Sequence, residues 1–245
     1  MRVAAKTIIM KTLVKTIAAL AIAITVNSGA FAQDDENDSR EYKHSSHYSP
    51  KKHNMFSRKD FGLYVGLNTY ETKNLPELDN VRSRYVALNW KKNHRLITGN
   101  HVDVALGTGF EFAWNNYMMK ENIRLVNTPN GAGFVDVKEN LDKSKFVVSS
   151  FNIPMMLQFG FKESKWSLGV GAYGGARIGS YVKTKEETGA KEHFKSAYNL
   201  NKFHYGFAAE LGREGFAIFA RYEATPLFKD NNPINGNAIS FGIRL

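Results

Sequence analysis

The chain has 245 residues, no cysteine, and 33 Lys and Arg against 23 Asp and Glu, a formal net charge of +10. The absence of cysteine excludes a disulfide framework, a thiol nucleophile and the acylated cysteine of a lipoprotein anchor. No run of Lys and Arg stands out, so the positive charge indicates solvated basic loops and we expect no nucleic acid among the partners.

The first 32 residues have the order of a secretory signal peptide. Four basic residues precede an apolar run at 17–26, which is followed by the small-residue cleavage pattern Ala30-Phe31-Ala32. The run is about half of the ~20 residues that a membrane-spanning helix needs, so an N-terminal anchor is the weaker interpretation. Cleavage after Ala32 leaves 29 Lys and Arg against 23 Asp and Glu, a net charge of +6.

Residues 33–59 are rich in Asp, Glu, Ser, Lys and His and have almost no apolar periodicity, which predicts a flexible periplasmic tail. His44, His47 and His53 lie in this segment. A weak metal site is one interpretation of the three histidines, but without a cysteine partner a solvated tail is favoured. We predict no metal and no cofactor.

From residue 60 to the C-terminus, apolar residues alternate with small or polar ones at the period of two that is typical of β-strands. Eight segments are predicted, at 61–70, 83–97, 101–117, 145–161, 166–183, 201–212, 215–227 and 238–245. Long polar loops are predicted at 71–82, 118–144, 184–200 and 228–237, and the other connections are short turns. Short periplasmic turns and long outer loops are the outer-membrane pattern. The sequence therefore predicts an all-β, eight-stranded antiparallel up-and-down transmembrane β-barrel over 60–245.

The two faces of the segments distinguish this barrel from a soluble one such as a lipocalin. Large aromatic and aliphatic residues occupy one face, whereas glycines and charged residues share the other, and glycines cover a water-facing surface poorly. We predict that the apolar face meets lipid and that the other face fills the narrow lumen. Aromatic residues near segment ends are expected in interfacial girdles: Tyr70, Trp90, Trp114, Tyr117, Trp166, Tyr181 and Tyr222.

Two stretches of the barrel carry a family resemblance. Phe151-Asn-Ile-Pro-Met-Met-Leu157 is similar to the Leu-Glu-Ile-Pro-Leu-Leu-Leu-like strand of the PorT-type outer-membrane β-barrel family, and Gly169-Val-Gly-Ala-Tyr-Gly-Gly175 resembles its following Gly-rich strand. Asn152 stands where the family pattern usually has Glu. The resemblance covers about residues 60–245 and implies a small outer-membrane barrel, which in some family members is linked to protein secretion machinery.

The predicted lumenal face carries charges of both signs. The predicted network comprises Asp103, Glu111, Arg177, Glu210, Arg221, Glu223 and Arg244, with Lys91 and His204 on the same face. One interpretation is a gated ion path or proton relay. A salt-bridge network that plugs the barrel is favoured, because buried charges must be paired and eight strands leave no open channel.

No spacing of Ser, His and Asp singles out a catalytic triad, so we predict no catalytic residues. The sequence thus predicts a non-enzymatic outer-membrane protein in contact with outer-membrane lipid. Its loops or periplasmic tail are expected to contact other envelope components, with secretion proteins as one candidate. A small-solute pore and a membrane-embedded lipid-modifying enzyme stay open as alternatives, as does the oligomeric state.

Overall fold

The computed structural model describes residues 55–71, 75–120, 122–129, 131–138, 140–213, 215–229, 232 and 234–245. The predicted signal peptide and nearly all of the predicted tail, including its three histidines, lie outside these residues. Eleven strands occur in the described part of the chain: β1 Lys59–Glu71, β2 Arg84–Thr98, β3 Val102–Met118, β4 Ile123–Thr128, β5 Gly131–Asp136, β6 Leu141–Phe161, β7 Trp166–Glu186, β8 Lys191–Lys195, β9 Phe203–Arg213, β10 Phe216–Glu223 and β11 Asn237–Arg244. No helix among the described residues is long and apolar enough to cross a membrane.

Eight of the strands form one closed antiparallel barrel. The order is β6-β3-β2-β1-β11-β10-β9-β7, and β7 pairs back with β6. The first and last strands meet along a register that includes Gly66 opposite Gly242. The predicted eight-stranded up-and-down barrel is therefore confirmed. Two strands are longer than the alternation indicated, since β6 begins at Leu141 and β7 ends at Glu186.

The long loops contain three further strands that the sequence analysis did not predict. β4 and β5 form a hairpin of their own, and β8 pairs with the upper half of β7 while β9 pairs with its lower half. A bulge at Ile178 shifts the register of β7 on β6 at this level. Because β7 continues past the rim, its backbone groups pair with β8 there, whereas the β4–β5 hairpin forms a separate two-stranded sheet.

Burial alternates along the barrel strands as the facing prediction requires. Phe203, Tyr205 and Phe207 on β9 are exposed, while His204 between them is 5% exposed. Trp90, Trp114 and Trp166 keep 36–41% of their surface exposed, as expected of residues on the outer face. The apolar side chains thus form the outer surface and the polar ones the lumen.

Tyr117 does not lie in the interfacial aromatic girdle where the sequence predicts it. Its side chain is fully buried inside the barrel, where its ring packs 6.0 Å from that of Phe146 and 5.7 Å from that of Tyr70. Trp114 on the same strand faces outward, and Tyr117 is an odd number of residues further along, so the alternation turns it inward. Tyr70 on β1 is a second correction, because it faces inward and packs against the same buried apolar cluster. Proximity to a strand end was therefore the wrong criterion for both residues.

Gly206 shows why small residues line the lumen. A methyl group at this position would lie 2.4 Å from the carbonyl oxygen of Tyr222 and 2.6 Å from the hydroxyl oxygen of Tyr173. The glycine therefore leaves the space that the Tyr173 side chain occupies. At Gly179, on β7, an added methyl group would meet nothing within 4 Å.

We predict that Gly206→Ala lowers the free energy of unfolding by about 1–3 kcal/mol, the usual effect of overpacking a filled interior. Gly179→Ala is the matched control and is expected to change it by less than about 0.5 kcal/mol. Urea titration in lipid vesicles measures both. Equal effects at the two positions would contradict the filled lumen.

Candidate functional site

The centre of the lumen is organised around the ion pair of Glu111 on β3 and Arg221 on β10. Arg221 Nη1 donates to Glu111 Oε1 over 2.6 Å, and Glu111 is 0% exposed. The amide groups of Asn89 and Asn152 donate to the same carboxylate at 3.2 and 2.9 Å. Charge-assisted bonds of this kind are the strong ones, and together they satisfy a carboxylate that has no access to water.

Aromatic residues complete the surroundings of the Arg221 guanidinium. It lies 4.4 Å above the ring of Tyr173 and donates a hydrogen bond to the hydroxyl group of Tyr85. Desolvated cation–π contacts of this kind stabilise a buried cation. Arg221 therefore contacts several walls of the barrel at once and closes the lumen at its mid-height.

A second charged group lies nearer the loop end. Arg177 on β7 pairs with Glu223 on β10, and it also donates to the carbonyl oxygen of Leu227 at 3.2 Å. His204 Nε2 lies 3.8 Å from Glu223 and 2.9 Å from Asn152 Oδ1. Asn152 contacts Glu111 as well, so it links the second group to the central pair.

A third charged group lies nearer the short turns. Glu210 accepts hydrogen bonds from the hydroxyl group of Tyr64 at 2.6 Å and from Lys91 Nζ at 3.2 Å. Lys91 is also 3.8 Å from Asp60, which pairs with Arg244 at 2.5 Å. Acidic and basic side chains therefore alternate in the third group, in the order Glu210, Lys91, Asp60 and Arg244, and Tyr64 bonds to Glu210.

Asp103 lies apart from these three groups, at the short-turn rim. It pairs with Lys162 at 3.0 Å and accepts a hydrogen bond from the backbone N–H of Met55 at 3.0 Å. The seven charges predicted from sequence therefore lie inside the barrel at several levels, and Asn152 joins the central pair to the second group by hydrogen bonds.

Several residues that hold these charges were not predicted from the sequence. Asp60 and Lys162 lie at strand ends, and Asn89, Tyr64 and Tyr85 are neutral, so a search for charges passed over them. The alternation of β1 carries the signal for Asp60, because it puts this residue on the same face as Tyr64.

The space left in the lumen is unequally distributed. At mid-height a cavity of about 10 Å³ lies among Tyr85, Asn115, Asn152, Arg221 and Ser240. A cavity of this size holds about one water molecule. A larger, partly open cavity of about 630 Å³ lies at the short-turn end, where Met55 and Phe56 form part of its wall. The narrow middle separates this cavity from the loop end.

An apolar cluster fills the loop end of the barrel, and we call it the loop-end core. It combines inward-facing residues at the upper ends of barrel strands with residues of the loops. The ring of Phe146 lies 5.7 Å from that of Tyr198 and 6.4 Å from that of Phe228. The buried members are Leu78, Tyr117, Met119, Ile123, Leu125, Ala132, Phe146, Val148, Val182, Tyr198, Leu200, Leu227, Phe228 and Ala238.

No group of three or more His, Asp or Glu side chains in the described part of the chain is arranged to hold a metal ion. The buried ionisable residues instead pair with one another. These ion pairs neutralise the buried charges inside the narrow barrel.

A closed antiparallel barrel with an apolar outer face and a paired lumen is the architecture of an integral outer-membrane protein. The chain belongs to the family described as outer membrane protein beta-barrel domain, whose model matches residues 31–227. The outer membrane is therefore its location. No curated protein matches the sequence.

Among solved structures, the chain is similar to Ail, the attachment invasion locus protein of Yersinia pestis, in complex with the heparin analogue sucrose octasulfate. The TM-score is 0.39 at 14% sequence identity, over 76% of this chain and 97% of the Ail chain. A second structure of Ail matches with a TM-score of 0.33, the same identity and the same coverage.

We predict that Arg221→Met lowers the free energy of unfolding by about 3–5 kcal/mol, because it leaves Glu111 buried without its cation. Combining it with Glu111→Leu is expected to recover part of that loss. The control is Lys120→Met, which breaks the exposed 2.9 Å pair with Glu77 and is expected to cost about 1 kcal/mol or less. Urea unfolding in lipid vesicles measures all three, and equal losses for Arg221→Met and Lys120→Met would show that the central pair is hydrated.

Proposed function

We propose that this outer-membrane protein is a closed, non-enzymatic barrel that presents an ordered loop end to other components of the cell envelope. The loop-end core is the observation that carries this proposal. Loops without buried contacts pay a large entropic cost on binding, whereas loops fixed in advance do not. An apolar core beneath the loops is therefore suited to recognition.

Specific polar contacts add to the order of the loop end. The hydroxyl group of Ser144 donates to the carbonyl oxygen of Ile123 at 2.5 Å, and the amide of Asn122 donates to that of Val137 at 2.9 Å. Arg124 on β4 lies 4.6 Å from the ring of Phe194 on β8 and pairs with Glu192 at 3.3 Å. These contacts join the β4–β5 hairpin to the barrel strand β6 and to β8.

The geometry favours this role over a small-solute pore. A solute would have to pass Arg221, whose guanidinium contacts Glu111, Tyr85 and Tyr173 across a cavity of about 10 Å³. It would then meet the loop-end core. Conduction would require both barriers to move at once.

The geometry also favours it over a lipid-modifying enzyme, because the buried ionisable groups are engaged in structural pairs inside the lumen. The partners we propose are envelope proteins. The resemblance of residues 151–157 and 169–175 to PorT-type barrels supports a secretion component among them. The predicted periplasmic tail is a second proposed contact region.

Photo-crosslinking in intact cells tests the proposal. A photoreactive residue at Val135, an exposed position of the β4–β5 hairpin, is expected to give a discrete adduct with a second protein. The matched control is Ile153, which is 61% exposed on the outer face of β6 and is expected to meet lipid only. Equal labelling at the two positions, or none from the hairpin, would contradict a recognition role for the loop end.

A further inference from the structure

Lysines concentrate on one outward face where β6, β7 and β8 extend past the barrel rim. In one cross-strand row, Lys145 lies opposite Lys183, which lies opposite His193. In the next row, Lys143 lies opposite Lys185, which lies opposite Lys191. A row below, Tyr181 lies opposite Lys195. We call this surface the lysine grid: Lys143, Lys145, Lys183, Lys185, Lys191, His193 and Lys195.

Alternation and ring packing show that these side chains point away from the barrel. Val182 and Thr184, which flank Lys183, are 1% and 3% exposed, whereas Lys183 itself is exposed. The ring of His193 packs 4.5 Å from that of Tyr181 on the outward face. The opposite face of β8 is occupied, since Phe194 lies beneath Arg124.

The grid opposes like charges directly across a sheet, which disfavours pairing of the strands. Among the described residues, Asp142 is an acidic partner of the grid, and its carboxylate accepts a 2.6 Å bond from Lys185 Nζ. Partial burial and the neighbouring charges of Lys183 and Lys143 lower the pKa of Lys145 below its ordinary value. The lysine grid is therefore a concentrated positive surface whose charges do not stabilise the pairing of β6, β7 and β8.

The grid continues the lipid-facing band of the same strands. Ile178 on β7 is 60% exposed, Tyr181 follows at the level of an interfacial aromatic, and Lys183 lies beyond it. A strand tilted by about 45° rises roughly 2.3 Å per residue along the membrane normal, so Lys183 lies about 12 Å above Ile178. Lysine side chains bend towards a polar interface, which brings their ammonium groups into the headgroup layer.

We propose that the lysine grid binds the phosphate groups of phosphorylated glycolipid headgroups in the surrounding outer leaflet. The grid faces sideways over the adjacent lipid rather than along the barrel axis, which favours a lipid over a soluble polyanion. Each lysine near an anionic surface strengthens such binding. This site lies on the outward face of β6, β7 and β8, and its binding of lipid does not depend on a role of the loop end in recognition.

The test uses the full-length protein in nonionic detergent micelles, with bis-phosphorylated lipid A as the probe and native mass spectrometry as the readout. The wild type is expected to bind this lipid at least about tenfold more tightly than the same lipid without phosphates. The triple variant Lys143→Gln, Lys145→Gln, Lys183→Gln is expected to lose that difference. Heat-dependent gel migration confirms that the variant is folded, and a single Lys183→Glu variant is expected to weaken binding in the same direction.

The charge-matched control replaces three lysines outside the grid, as Lys120→Gln, Lys138→Gln, Lys229→Gln, and is expected to bind like the wild type. Equal affinity for the phosphorylated and dephosphorylated lipid would overturn the proposal. So would an equal loss in the control, which would reduce the effect to net charge. Dextran sulfate binding as tightly as the phosphorylated lipid would identify the grid as a soluble-polyanion surface instead.

Discussion

The pairing of buried charges in a lumen too narrow for bulk water is the constraint on which this structure depends. Glu111 has no exposed surface, and a carboxylate buried there without a partner would destabilise the barrel. Arg221, Asn89 and Asn152 prevent this by bonding to it from separate strands. The same contacts also link β2, β6 and β10 to β3 across the lumen. The small residues beside them, Gly206 among them, follow from the space that the larger lumenal side chains require.

Because side chains fill the lumen, the surfaces left for function are the outer wall and the two ends of the barrel. The barrel wall meets lipid, the short-turn end holds a cavity, and the loop end carries an apolar core that orders the hairpin and β8. Above the rim β7 pairs with β8, and below it β7 pairs with β9, while β6 pairs with β7 at both levels. That extension both supports the loops and brings the lysine grid to headgroup height. The recognition role that we propose for the loop end and the lipid binding that we propose for the lysine grid thus depend on the same long strands.

The alternation of side chains was enough to predict the eight barrel strands and their facing, because both depend only on residue parity. It did not identify which charges meet. Glu111 and Arg221 are 110 positions apart and belong to strands that are not neighbours, so their pairing depends on the closure of the whole barrel. Tyr117 shows that residue parity determines which way a side chain faces, even near the rim of the barrel. The strands within the loops were missed because their order comes from packing on β6 and β7, which a local pattern does not record.

Substituted-cysteine accessibility tests the sealed lumen most directly, since the native chain contains no cysteine. Ser150→Cys places a thiol beside the central cavity, at a position only 3% exposed, and Ser167→Cys places one in the wall of the short-turn cavity. With a small charged thiol reagent on both sides of reconstituted vesicles, Ser167→Cys is expected to react readily and Ser150→Cys on the order of a hundredfold more slowly. Comparable rates at the two positions would mean that water and ions reach the centre, and that the charges line a passage instead of closing it.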